Sequence, residues 1–107
     1  MKKQVYICAR LLDNKKRNIA EADRYRRYAI DCGVSPVSIH EDYRVVNWGD
    51  EKQSQTALEN ALSKIWCSDE LWVFGAEITD RMQEEIEFCK EFNIPVRYIN
   101  NKQIKTQ

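Results

Sequence analysis

The chain has 107 residues, 43% of them hydrophobic, with 17 basic and 17 acidic side chains. That length supports one core and not two, so residues 1–107 are expected to form a single domain. A formal net charge of zero gives no global field toward a nucleic-acid polymer or a membrane surface, and no run approaches the roughly 18 apolar residues of a membrane span.

In chain order, the MKKQ start has no apolar stretch behind it, so no leader is expected. QVYIC, residues 4–8, is a short β-rich apolar run that reads as a buried strand. Ile19, Ala22, Tyr25, Ala29 and Ile30 recur near helical spacing, with Gly33 just beyond, which predicts a helix over about 17–32. SPVSI, residues 35–39, is a second strand, with Pro36 at its start where a missing N–H is tolerated. Residues 40–53 are polar and turn-rich and read as a loop, with Tyr43 and Trp48 as candidates to stack on a base. Ala57, Leu58, Ala61, Leu62, Ile65 and Trp66 form an amphipathic stripe behind a candidate cap at Ser54. Trp66 and Trp72 are expected in the core. ELWVF, residues 70–74, is a third strand stopped by Gly75; a third helix covers 78–92; IPVRYIN, residues 94–100, is a fourth strand; and the polar tail is expected to fray.

Strands alternating with helices predict an α/β fold: a three-layer αβα sandwich, Rossmann- or flavodoxin-like, with about four mostly parallel strands. Ligands of such sheets sit beyond the carboxyl ends of the strands where strand order reverses. That places the candidate site at Cys8 to Arg10, Ile39 to His40, Phe74 to Ala76 and the start of the third helix. Cys8, Cys32, Cys67 and Cys89 show no paired spacing, and His40 is alone, so no metal site is expected; the cysteines read as small buried hydrophobes in a reducing, cytoplasmic setting.

The third helix carries four glutamates. At about 100° per residue, Ile78, Ile86, Cys89 and Phe92 all fall within roughly 80° of Met82 and with it define a buried arc about 120° wide. Glu84, Glu87 and Glu91 lie opposite, as a solvated face with a Glu87–Lys90 pairing. Glu85 falls inside the apolar arc, where an ionised carboxylate costs several kcal/mol unless it is paired or faces a ligand. Three readings are open: a one-residue slip of the helix phase, a buried ion pair with an arginine of the first helix, or a crevice carboxylate able to act as nucleophile, base or hydroxyl acceptor.

VYIC in the first strand, Asn18, Ile19 and Ala22 opening the first helix, YRRYAIDCGVSPVSIH, SDELWVFG and M-x-x-E-I-E-F-C-K-E-F-N-I-P-V-R-Y run in the same order as in the nucleoside 2-deoxyribosyltransferase-like family. The chain resembles that family over roughly residues 5–99, most closely its small bacterial and phage branch. The resemblance implies a glutamate nucleophile at Glu85 that attacks the anomeric carbon, a neighbouring tyrosine at Tyr6, no cofactor, and a homo-oligomer. Three positions depart from the family pattern. The acid expected to protonate the leaving base is Thr79, with Asp80 beside it; a glycine is Arg81; and a Ser-Pro pair is Ala9-Arg10.

Arg10 and Arg81 either point to water or together hold a phosphate beside the N–H groups opening the third helix, which Met82 follows. With Gly75 at the strand end and His40 at the second strand's end, the candidate ligand-binding set is Tyr6, Ala9, Arg10, His40, Gly75, Thr79, Arg81 and Met82. Asp69, before its strand, reads as a turn residue. The implied partner is a nucleotide-type small molecule. The functional expectation is hydrolysis or transfer at an N-glycosidic bond; the alternative is a non-catalytic module that sequesters a phosphorylated adenine, ADP-ribose-like or cyclic nucleotide signal, as a phage anti-defence protein does.

Overall fold

The computed structural model describes residues 2–11, 15–42 and 45–104, with the side chain of Lys15 excepted. The expectation for Tyr43 lies outside the described residues. Four short runs of apolar, β-favouring residues pair as one sheet: β1 (Gln4–Cys8), β2 (Ser35–Val37), β3 (Glu70–Phe74) and β4 (Val96–Ile99). All neighbours are parallel, in the order β2-β1-β3-β4. The chain therefore steps outward from β1 to β2 and then crosses to β3 on the other side, so strand order reverses between β1 and β3. Parallel strands need covering on both faces, and alternation along β1 and β3 supplies it.

Tyr6, Cys8, Leu71 and Val73 point to one face, where they pack with Ala61 and Ile65 of α2 (Glu51–Trp66) and with Met82, Ile86 and Cys89 of α3 (Asp80–Glu91). Val5, Ile7, Trp72 and Phe74 point to the other face, against Tyr25 and Ala29 of α1 (Lys15–Asp31) and Ile104 of α4 (Asn101–Ile104). There Tyr25 stacks on Phe74 with ring centroids 4.4 Å apart. The architecture is the expected three-layer, flavodoxin-like α/β sandwich.

Local chemistry sets the helix ends. α1 stops where Gly33 takes φ +85 and lets Val34 N donate to Ala29 O, a left-handed cap that glycine adopts without strain. Asn93 does the same for α3 at φ 59, with Ile94 N reaching Cys89 O. α2 begins one turn earlier than Ser54 suggests, because the Asp50 carboxylate accepts from Lys52 N and Gln53 N. Ser54 instead turns its hydroxyl back to Glu51 O.

Several expectations change at the margins. β2 ends at Val37, because the chain winds into a 3-10 turn over Ile39–Asp42. Ile30 is exposed, one residue past the buried Ala29 and so about 100° around the helix. Trp66 is 61% exposed for the same reason, one step beyond Ile65, and meets Phe92 edge-on. Of the four thiols, Cys8 and Cys89 are buried while Cys32 and Cys67, in the turns after α1 and α2, are exposed; all are free. Part of the polar tail is ordered: Asn100 and Gln103 exchange side-chain to backbone hydrogen bonds that cap α4 and seat Ile104 in the core.

Candidate functional site

The early turns of α3 are fixed from the sequence up. Thr79 caps the helix by accepting from Met82 N at 3.2 Å. From that start, Met82, Glu85, Ile86 and Cys89 follow at the three- and four-residue steps that share one helix face, and all four are buried against the sheet. Ile78 and Phe92 do not join them: Ile78 precedes the first helical residue, Phe92 follows the last, and they are 44% and 43% exposed.

Glu85 is 2% exposed and lies over β1. Its Oε2 accepts from Tyr6 Oη at 2.9 Å and from an Arg81 guanidinium nitrogen at 2.7 Å. The partner is thus one turn away on the same helix, not on α1. The order is the unfavourable one for a helix dipole, since Arg81 sits at the positive end. What holds the guanidinium there is the carboxylate on one side and the Ala9 carbonyl on the other, to which its second terminal nitrogen donates. Oε1 of Glu85 is buried with no hydrogen-bond partner among the described residues.

The electrostatics follow from burial. Desolvation raises the Glu85 carboxyl above its ordinary range, although Arg81, Tyr6 and Cys8 all pull it down. Burial, reinforced by the Glu85 charge, pushes the Tyr6 hydroxyl and the Cys8 thiol well above their usual ranges. Both therefore remain protonated and available as donors. For Arg81, burial works against the charge, but the neighbouring groups, the Glu85 carboxylate foremost, outweigh it and the net shift is upward, so the guanidinium stays protonated. The result is one carboxylate with one oxygen fixed by two donors and the other oxygen unpaired. An unpaired buried acceptor costs about 1–3 kcal/mol, and such groups concentrate where a structure has a task for them.

The loop after β1 is braced from both sides. His40 Nε2 lies 2.7 Å from Arg10 O, and because a carbonyl only accepts, Nε2 carries the proton. Nδ1 is then a bare acceptor, buried without a partner among the described residues. Burial lowers the His40 pKa to about 4, the nearby Arg81 and Arg26 charges adding to it, against a weaker upward pull from the Arg10 carbonyl. Arg10 itself approaches Glu77 of the loop after β3 at 3.6 Å. This pair bridges the crevice at the reversal of strand order. The 3-10 turn that carries His40 is held by Lys64, which donates to Ser38 O, Glu41 and Asp42, and by an Arg26–Glu41 bridge of 2.7 Å.

Of the residues expected at the site, Tyr6, Ala9, Arg81 and Glu85 form one bonded cluster, and His40 and Arg10 join through the Arg10 carbonyl. Met82 is wholly inside the core, where its carbonyl meets the Cys8 thiol, so its side chain is not presented to a crevice. Gly75, at φ +95, ends β3 and lines a separate hollow with Asn100 and Lys102. Asp69 accepts from Gln4 N at the amino end of the sheet, away from this cluster.

The cavity that Glu85 adjoins has no signature in the sequence. A pocket of about 260 Å³ opens between α2 and α3 and has Glu85 and Arg81 among its lining residues. Leu58, Leu62 and Phe88 give it an apolar wall. Glu84, Glu87 and Glu91 also line it, and they are exposed, as their helix angle requires. Glu87 accepts from Gln83 Nε2 at 3.2 Å and makes no ion pair with Lys90. The juxtaposition of α2 and α3 is tertiary, and no spacing within either helix reports it.

Among the described residues no group of three or more His, Cys, Asp or Glu side chains is placed to hold a metal ion, and no helix is long and apolar enough to cross a membrane. Strand order and the placement of this cluster define a flavodoxin-like fold with a buried carboxylate beside the central strand. A solved structure shares the fold: a 2-deoxyribosyltransferase from the psychrotolerant bacterium Bacillus psychrosaccharolyticus, a biocatalyst for nucleoside synthesis, with a TM-score of 0.70 and 16% identity over 91% of this chain and 72% of that one. Residues 3–99 match the model of a family described as a domain of unknown function, DUF7768, and the chain belongs to that family. Curated protein sequences contain no match.

Proposed function

We propose that this protein acts on the N-glycosidic bond of a nucleoside-type ligand, by hydrolysis or transfer, with Glu85 as the nucleophile. The observation that carries this reading is the division of labour on one buried carboxylate: Oε2 is fixed by Tyr6 and Arg81 while Oε1 has no partner, in a residue that lines a pocket. A nucleophile needs a defined orientation and a free lone pair, and a site poor in water strengthens it. Attack on the anomeric carbon forms a glycosyl ester, which water or a second base then resolves. Tyr6 and Arg81 are positioning residues in this scheme, stabilising the carboxylate as it is regenerated. The shared fold with a 2-deoxyribosyltransferase supports the same reading.

A phosphate-holding role for Arg10 and Arg81 requires each to exchange a carboxylate partner, Glu77 and Glu85 respectively, for the ligand. A homo-oligomer belongs to the same proposal, with the exposed Trp66–Phe92 pair as the surface a second copy would cover.

The test is incubation with a panel of nucleosides and 5′-nucleotides, read for free base by chromatography. Base release that disappears in Glu85→Gln supports the proposal. A large thermal shift with the ligand recovered intact, equal in wild type and Glu85→Gln, contradicts it and indicates sequestration.

A further inference from the structure

Cleavage of an N-glycosidic bond needs a leaving group, and a neutral base leaves readily only when an acid protonates it. The residue standing where that acid is expected, Thr79, has its hydroxyl engaged in capping α3, and the adjacent Asp80 is an exposed residue of the first turn. The pocket beside Glu85 has the opposite character to a phosphate site. Glu84, Glu87 and Glu91 line it, none of the three forms an ion pair among the described residues, and its lining cation, Arg81, is already bonded to Glu85. Carboxylates around a small cleft repel a phosphorylated ligand and attract a cation. Glu85, 2% exposed, is among the residues that line the same cleft, and its buried, unpartnered Oε1 is an independent sign of a missing ligand group. Phe88 adds an aromatic ring to that lining, the residue type that attracts a flat cationic heterocycle.

We propose that the ligand is a nucleoside whose base carries a positive charge shared by the glycosidic nitrogen, a pyridinium or N-alkylpurinium riboside or deoxyriboside, and that a 5′-phosphate disfavours it. The inference rests on the glycosidic reading of Glu85. In the first step the Glu85 carboxylate oxygen bonds to the anomeric carbon while the carbon–nitrogen bond breaks. The bonding pair moves to the ring nitrogen and cancels its charge, so the base departs neutral and no proton is required. In the second step water bonds to the anomeric carbon and the ester bond breaks. The pair returns to Glu85 and the water proton passes to solvent, so that a cationic nucleoside and water give a neutral base, free sugar and one proton. The chemistry of the cationic leaving group thus accounts for both the acidic pocket and the absence of an acid at Thr79.

Nicotinamide riboside and 7-methylguanosine serve as cationic probes, adenosine and uridine as neutral ones, and nicotinamide mononucleotide as the phosphorylated counterpart of the first. The expected result is Glu85-dependent base release with kcat/KM at least tenfold higher for the cationic nucleosides than for the neutral ones, and lower for the mononucleotide than for its riboside. Intrinsic lability of the cations is separated by the double variant Glu84→Gln/Glu87→Gln, whose cationic-to-neutral ratio falls roughly three- to tenfold, as removal of two exposed charges implies. Neutral nucleosides released as fast as cationic ones, or a ratio unmoved in the double variant, overturn this inference while leaving the glycosidic reading intact. Absence of Glu85-dependent release from every nucleoside overturns both.

Discussion

Replacing Arg81 by Met isolates the energetics on which the site depends. The guanidinium lies 2.7 Å from Glu85 Oε2, and their side chains are 13% and 3% exposed. With charge centres about 4 Å apart and an effective dielectric constant of about 20, their attraction is about 4 kcal/mol. Removing one partner of such a pair strands the other, which costs about 3–5 kcal/mol. The loss depends on pH with a definite sign. Burial already shifts the Glu85 pKa upward, and without Arg81 it rises further. A carboxyl raised in the folded state binds more protons folded than unfolded, so stability falls as pH rises through the window between its unfolded and folded pKa. Arg81→Met is therefore expected to cost about 3–5 kcal/mol at pH 7.5, and less at pH 4.5, because the upward-shifted carboxyl takes up its proton as pH falls. Urea unfolding at the two pH values measures both. Adding Glu85→Leu to Arg81→Met is expected to recover most of the loss, since an apolar pair needs no charge partner. A cost below about 1 kcal/mol at pH 7.5, or one that does not change with pH, refutes the reasoning.

Other expectations are smaller in scale. His40 is the sole histidine of the chain, so one imidazole titration is seen by NMR, with a midpoint of about 4 expected from its burial and an ordinary midpoint near 6.5 contradicting it. Because that pKa is depressed, the neutral ring contributes stability fully present above about pH 6.5 and lost as pH falls to about 4, roughly 3 kcal/mol at most; His40→Gln is expected to flatten that part of the stability profile. Tyr6→Phe removes the donor to Glu85 Oε2, lowers stability by about 1–3 kcal/mol, and shifts the acid limb of the activity profile to higher pH. Asp50→Ala, which strips a cap from two N–H groups, costs about 1 kcal/mol, whereas Ser54→Ala changes little.

What was legible in the sequence was what is local. QVYIC and ELWVF are short apolar runs rich in strand formers, and they became the two central strands; the angle of Glu85 around α3 marked it as buried before any neighbour was known. Helix angle misleads beyond the helix ends. Ile78 and Phe92 have the correct phase but flank the helix, Ile78 before its first residue and Phe92 at its C-cap, so helical phase does not set where their side chains point. The Arg81–Glu85 pairing is an i,i+4 contact, legible from spacing alone. The His40 bond to the Arg10 carbonyl, the Lys64 bracing of the 3-10 turn and the pocket between α2 and α3 each join residues 18 or more apart in the chain, and only the folded arrangement brings them together.

The central claim is that Glu85 forms a bond to an anomeric carbon. The direct measurement is rapid acid quenching of the protein with a reactive nucleoside, followed by proteolysis and mass spectrometry of the peptide spanning residues 82–90. The account predicts the added mass of one glycosyl group on Glu85, absent in Glu85→Gln and chased away on dilution into buffer or acceptor base. Base release at full rate with no adduct, or an adduct that persists in Glu85→Gln, would contradict it.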